Sequence, residues 1–98
     1  MEKDVRRSVI AGTWYPGDPA VLRGEIRRYL EAVPAGPAEG PVVGLVSPHA
    51  GYVYSGQVAA HGYRLIEGRR YDAVVVIGPS HRVLFRGASV WPSGGYET

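Results

Sequence analysis

Val42-Val-Gly-Leu-Val-Ser-Pro-His-Ala-Gly-Tyr-Val-Tyr54 is the stretch whose reading decides the fold. It opens as a β-branched apolar run, which suits a strand buried on both faces. Pro48 lacks a backbone donor and holds Ser47 extended, so the strand stops there. His49 follows directly, past the end of the predicted strand, where open α/β sheets keep their ligands. The pattern returns at Tyr71-Asp-Ala-Val-Val-Val-Ile77, a second apolar run, closed by Gly78-Pro-Ser-His81. The two units share a Val-rich strand, Ser, Pro and His in different order, and are not a strict repeat.

Between the runs, Ser55 is placed to cap a helix over Gly56–Glu67, with Val58, Ala59, Leu65 and Ile66 on or near its buried side and Gly68 at its C-terminal end. The resulting β-loop-α-loop-β unit predicts an α/β fold with parallel strands joined by a right-handed crossover. Upstream, Asp18-Pro19 is an N-cap followed by proline at the first helical position. Leu22, Ile26, Tyr29, Leu30 and Val33 then mark one helix face, and Arg23, Glu25, Arg27, Arg28 and Glu31 the solvated one. A Gly/Pro-rich linker from Pro34 to Pro41 ends this helix. Ser8–Gly12 suits a short strand, and Val83–Val90 a further one interrupted at Arg86-Gly87. Trp14 and Tyr15 sit in a turn-prone segment, either as a lid over the core or as the wall of a pocket.

Ninety-eight residues, 45% hydrophobic and 20% charged, fit a single domain spanning 1–98. A net charge of +2 with scattered arginines gives no reason to expect nucleic acid or a membrane surface as partner. No apolar run is long enough to span a bilayer, and no secretory leader is legible. The chain has no cysteine, which excludes disulfides and makes the cytoplasm the expected compartment.

His49 and His81 carry the strongest chemical signal. If their strands are adjacent, the strand ends lie about 5 Å apart. Two imidazoles so placed reach one metal ion at Zn–N distances of about 2 Å. Neutral imidazole suits Zn, Fe, Cu or Ni, so the ligands do not choose the metal. Catalytic metals normally take a third protein ligand. Asp72 lies at the opposite end of its strand, so the third ligand is either Glu97 or outside this chain, with the second reading favoured. His61 falls inside the second helix, where packing or a helix-surface hydrogen bond is the simpler role. Tyr52 and Tyr54 alternate along the loop; Tyr54, nearer the helix start, is the preferred proton carrier. Gly78-Pro-Ser-His-Arg82 is no nucleophile elbow, because Arg82 replaces the closing glycine. No phosphate-binding glycine motif is present.

Ala11-Gly-Thr-Trp-Tyr-Pro16, Ser47-Pro-His-Ala-Gly-Tyr-Val-Tyr-Ser-Gly56, Ala59-Ala-His-Gly-Tyr63 and Gly78-Pro-Ser-His81, in this order, resemble the Memo family. In bacteria and archaea that family is also called the B component of the AmmeMemoRadiSam system. The resemblance covers essentially the whole chain. It implies an N-terminal fragment of roughly one third of the family length, since Tyr96-Glu-Thr98 is similar to a longer family segment cut mid-motif. It implies a fold similar to LigB-type class III extradiol dioxygenases and a metal site using His49 and His81 with a downstream cysteine. That cysteine and a further active-site histidine have no counterpart here. Trp14 and Tyr54 match residues near the family pocket. The expected cofactor is a divalent or redox metal (Fe, Cu or Zn).

The expected activity is metal-dependent redox or dioxygenase-like chemistry in the full-length parent, with Tyr54 or His61 handling protons and Trp14, Tyr52 and Tyr54 contacting a small molecule or peptide. The fragment alone is expected to be inactive and to self-associate through exposed sheet faces. The alternative is a non-catalytic binding or scaffold module that uses the aromatic pocket.

Overall fold

A computed structural model describes residues 4–34, 36 and 40–98. Part of the predicted Pro34–Pro41 linker therefore lies outside the described residues. The chain divides into two compact units, Val9–Arg69 and Met1–Ser8 with Arg70–Thr98.

The first unit is built on two helices, α1 (Pro19–Glu31) and α2 (Tyr52–Ile66). Asp18 caps α1 as its sequence predicts. Its carboxylate accepts from the N–H groups of Ala20 at 2.8 Å and Val21 at 3.1 Å, satisfying two donors that have no partner inside the helix. Pro19 follows with its φ already set for a helix, and Arg28 in the last turn complements the helix dipole. The predicted apolar face forms. Leu22, Ile26, Tyr29 and Leu30 are half-buried, and Val33 is 8% exposed. Glu25 departs from its predicted solvated face and is half-buried, because Tyr29 engages it one turn on.

The second helix starts at Tyr52, four residues before the predicted Gly56. Its N-cap is Gly51, with no side-chain cap. Instead the N–H of Tyr52 donates to the carbonyl of Trp14 at 2.8 Å. Ser55 is thus inside the helix, and its hydroxyl donates to the carbonyl of Ala50 at 3.1 Å. The earlier start rotates the packed face. Val58 and Leu65 are exposed, and Gly56, Ala59, Ala60 and Ile66 face inward. Gly68 follows the C-cap with φ +77°, the left-handed conformation expected of it.

At Gly56 the side chain of α1's Tyr29 packs against α2. A Cβ there would lie 2.8 Å from Cε2 of Tyr29 and 3.3 Å from Cβ of Tyr52. Only the missing side chain lets the Tyr29 ring come this close to α2. Gln57 reinforces the contact, donating to the backbone carbonyl of Tyr29 at 2.8 Å.

In the second unit, β1 (Val5–Arg6) and β2 (Gly95–Tyr96) pair in parallel, Val5 opposite Gly95 and Arg6 opposite Tyr96. Gly94 precedes β2 at φ +83°, and a Cβ there would strike the carbonyl of Asp4. The Arg6 guanidinium lies 5.4 Å from the Tyr96 ring centre, and Trp91 packs on the same ring at 5.7 Å.

The α/β class and a parallel strand pair are present, but the predicted strands are not the ones that pair. Val42–Val46 and Tyr71–Ile77 run outside any ladder, and Ser8–Gly12 and Val83–Val90 form no strand. Val43 and Val46 are 96% and 104% exposed, and Ile77 is 90% exposed. The physical reason is partnership: a strand is completed by the N–H and C=O groups of its neighbours, and no described segment lies beside these runs in ladder register. Ile10–Tyr15 folds instead as a tight turn, with Thr13 and Trp14 N–H groups donating to the Ile10 carbonyl at 3.1 and 3.0 Å. Among the described residues no helix is long and apolar enough to cross a membrane.

Candidate functional site

A cleft of about 730 Å³ opens in the Val9–Arg69 unit. The turn carrying Trp14 and Tyr15 forms one wall, α1 and α2 form its floor, and the loop Ser47–Ala50 forms its lip. Three tyrosines line it as a connected cluster. The Tyr15 and Tyr52 rings are 5.6 Å apart at 42°, and the Tyr29 and Tyr52 rings 6.5 Å apart at 60°. Both arrangements are tilted, as ring quadrupoles prefer. Trp14 is 46% exposed and lines the same space.

The polar groups are few and fixed. The Tyr29 hydroxyl donates to Glu25 Oε1 at 2.6 Å and lies 3.3 Å from the Tyr52 carbonyl. That hydrogen bond to the carboxylate holds the Tyr29 phenol above its ordinary pKa, with burial and the Glu25 charge adding to it and Arg28 opposing it. Tyr52 is raised mainly by burial, with Tyr15, Tyr63 and Glu25 adding to it. Tyr52 is therefore a neutral hydrogen-bond donor on the cleft wall throughout the physiological range.

His49, Trp14 and Tyr52 all line the cleft. Tyr54, one helical step from Tyr52, is 85% exposed and is not part of the lining. His61 is exposed on α2, also outside the lining, with its Nδ1 2.9 Å from the Gln57 carbonyl. A carbonyl only accepts, so Nδ1 is the donor in this contact. His81 is exposed in the other unit. Among the described residues no group of three or more His, Cys, Asp or Glu side chains could hold a metal ion. The described residues thus do not complete a metal site by themselves.

Sequence reasoning missed Glu25, Tyr29 and Gln57. The Glu25–Tyr29 pair was findable, since residues four apart on a helix meet. Gln57 was not, because its partner is a backbone carbonyl on another helix.

An α/β chain with an aromatic cleft beside a histidine loop is the class of protein these features define. A family model for Memo-like proteins matches residues 6–98. The chain is 42% identical over 103 residues to a MEMO1 family protein of Thermotoga sp. (strain RQ2), covering 95% of this chain and 37% of that protein. A MEMO1 family protein of Thermotoga maritima gives the same identity and coverage. One from Metallosphaera sedula is 40% identical, covering 95% of this chain and 36% of the relative. The chain belongs to the Memo family. It spans little more than a third of the length of these relatives. No solved structure matches it.

Proposed function

We propose that this chain is part of a metal-dependent redox protein of the Memo family, with a fold similar to LigB-type extradiol dioxygenases. His49 and His81 would be two ligands of an Fe, Cu or Zn ion, and polypeptide beyond these 98 residues would complete the set. When bound, Fe or Cu would supply electron transfer or oxygen activation, whereas Zn would act only as a Lewis acid. The observation that carries the reading is His49 on the lip of an aromatic cleft, within the Memo match. Trp14 and Tyr52 give a small organic molecule an apolar wall and one neutral hydroxyl donor. Tyr54 and His61, the expected proton carriers, lie outside the lining, and Tyr52 is one of the phenols that face a cleft-bound ligand from within it. We place the protein in the cytoplasm, with small molecules or peptides as its partners. Oxygen uptake by the complete protein tests the reading: metal-loaded protein consumes oxygen with a reducing organic substrate, chelator-treated protein does not. Equal uptake in both contradicts it.

A second reading is a binding module without turnover, supported by the aromatic lining and the lack of a three-ligand group among the described residues. It requires ligand binding that survives chelation and is lost in Trp14→Ala.

A further inference from the structure

The cleft lining is rich in aromatic rings and poor in positive charge. Trp14, Tyr15, Tyr29, Tyr52 and Tyr63 all belong to it. Among the described residues Glu67 is its one carboxylate, and no lysine or arginine joins it. Glu67 accepts from the Arg64 guanidinium, which stands outside this lining, so its charge is partly balanced. The rings therefore decide what the cleft prefers. Aromatic faces are negative, and they attract a cation within about 6 Å of the ring centre, tryptophan most strongly. Tyr29 already shows this behaviour: the Arg28 guanidinium lies 5.8 Å from its ring centre. The Tyr15 and Tyr52 centres are 5.6 Å apart, close enough for one positive group to lie within reach of both. A carboxylate or phosphate would meet the same rings with no lysine or arginine to pair with it, and would lose its hydration uncompensated.

We propose that the cleft binds a small quaternary ammonium compound, with the cationic head against Trp14, Tyr15 and Tyr52. The choice of a quaternary over a primary ammonium follows from hydrogen bonding. A primary ammonium brings three donors and a guanidinium five, and a mainly apolar, aromatic wall would leave most of them unpaired. A quaternary nitrogen has no N–H to satisfy, and its alkyl groups bury apolar surface against the same wall. The cleft volume of about 730 Å³ suits a free small molecule. The inference rests on the cleft being the ligand site of the proposed function, and it is independent of any metal.

The test is calorimetric titration of the complete, chelator-treated protein with choline and with dimethylbutanol, its neutral isostere, in which carbon replaces the charged nitrogen. Choline binds about 5- to 30-fold more tightly, the ratio that cation–π attraction supplies. A plain apolar pocket gives the opposite order, because the cation loses more hydration. Tyr52→Phe keeps the preference, since the ring remains. Tyr52→Leu loses most of it. Trp14→Leu, altered in the turn and not in a helix, repeats the test should Tyr52→Leu fail to fold. Absence of choline binding overturns the proposal, as does choline binding no tighter than the alcohol. A preference that survives both leucine variants overturns it too. Oxygen uptake is read separately on metal-loaded protein. Uptake without a choline preference strikes this inference alone, and a choline preference without uptake strikes the redox reading alone.

Discussion

The backbone N–H of Tyr52 donates to the carbonyl of Trp14 at 2.8 Å, joining the aromatic turn to the first residue of α2. The bond does two things at once. It satisfies a donor that a helix start leaves open, and it fixes two walls of the cleft against each other. A Cβ at Gly51 would meet the Trp14 carbonyl at 3.5 Å, an ordinary packing contact.

Trp14→Ala is expected to cost about 2 kcal/mol, roughly half the usual loss for a fully buried tryptophan, because the ring is 46% exposed. Urea denaturation followed by helical circular dichroism measures it. A loss below a few tenths of a kcal/mol would mean that the ring does not pack on the helices.

Two glycine substitutions should have opposite signs. Gly24 lies in α1 with nothing within 4 Å of an added Cβ, so Gly24→Ala should stabilise by about 0.5–1 kcal/mol through helix propensity. Gly56→Ala gains the same propensity but pushes a methyl into the Tyr29 ring at 2.8 Å. It should destabilise by about 1–3 kcal/mol. Thermal melts of the two variants read the difference directly.

Asp18→Ala should destabilise α1 by about 1 kcal/mol, since two backbone donors lose their acceptor. Asp18→Asn should recover most of that, because capping needs the side-chain oxygen more than its charge. The melting temperatures of the two variants separate these roles.

How far the sequence discloses this structure differs from element to element. The first helix was legible because its signals are local: Asp18-Pro19 at the start and apolar residues in helical register to Val33. The start of α2 was not. Tyr52, Val53 and Tyr54 are aromatic and β-branched, and the acceptor that fixes the start is the Trp14 carbonyl, distant in sequence. The runs Val42–Val46 and Tyr71–Ile77 were read as strands and form none, because pairing is supplied by neighbours that composition cannot reveal. His49, Trp14 and Tyr52 were legible as candidate site residues, whereas the Glu25–Tyr29 brace was hidden in what looked like an ordinary charged face.

Alkaline pH should loosen the helix pair. Tyr29 and Tyr52 have folded pKa values raised above the ordinary value near 10. A raised phenol means that the folded state holds its proton more tightly than the unfolded one. The contribution is therefore fully present below pH 10 and is lost as pH rises through the folded values. Tyr29→Phe should show a smaller stability loss than wild type over that window. An identical pH dependence would show that the Glu25 hydrogen bond does not perturb the phenol.

The most direct test of the proposed metal centre is the metal-to-protein ratio of the complete protein after reconstitution with Fe(II), Cu(II) or Zn(II). Wild type is compared with His49→Ala, His81→Ala and His61→Ala. The account predicts that the first two lose most of the metal, while His61→Ala, altered on α2 outside the cleft lining, keeps it. Undiminished metal in both His49→Ala and His81→Ala would contradict the account.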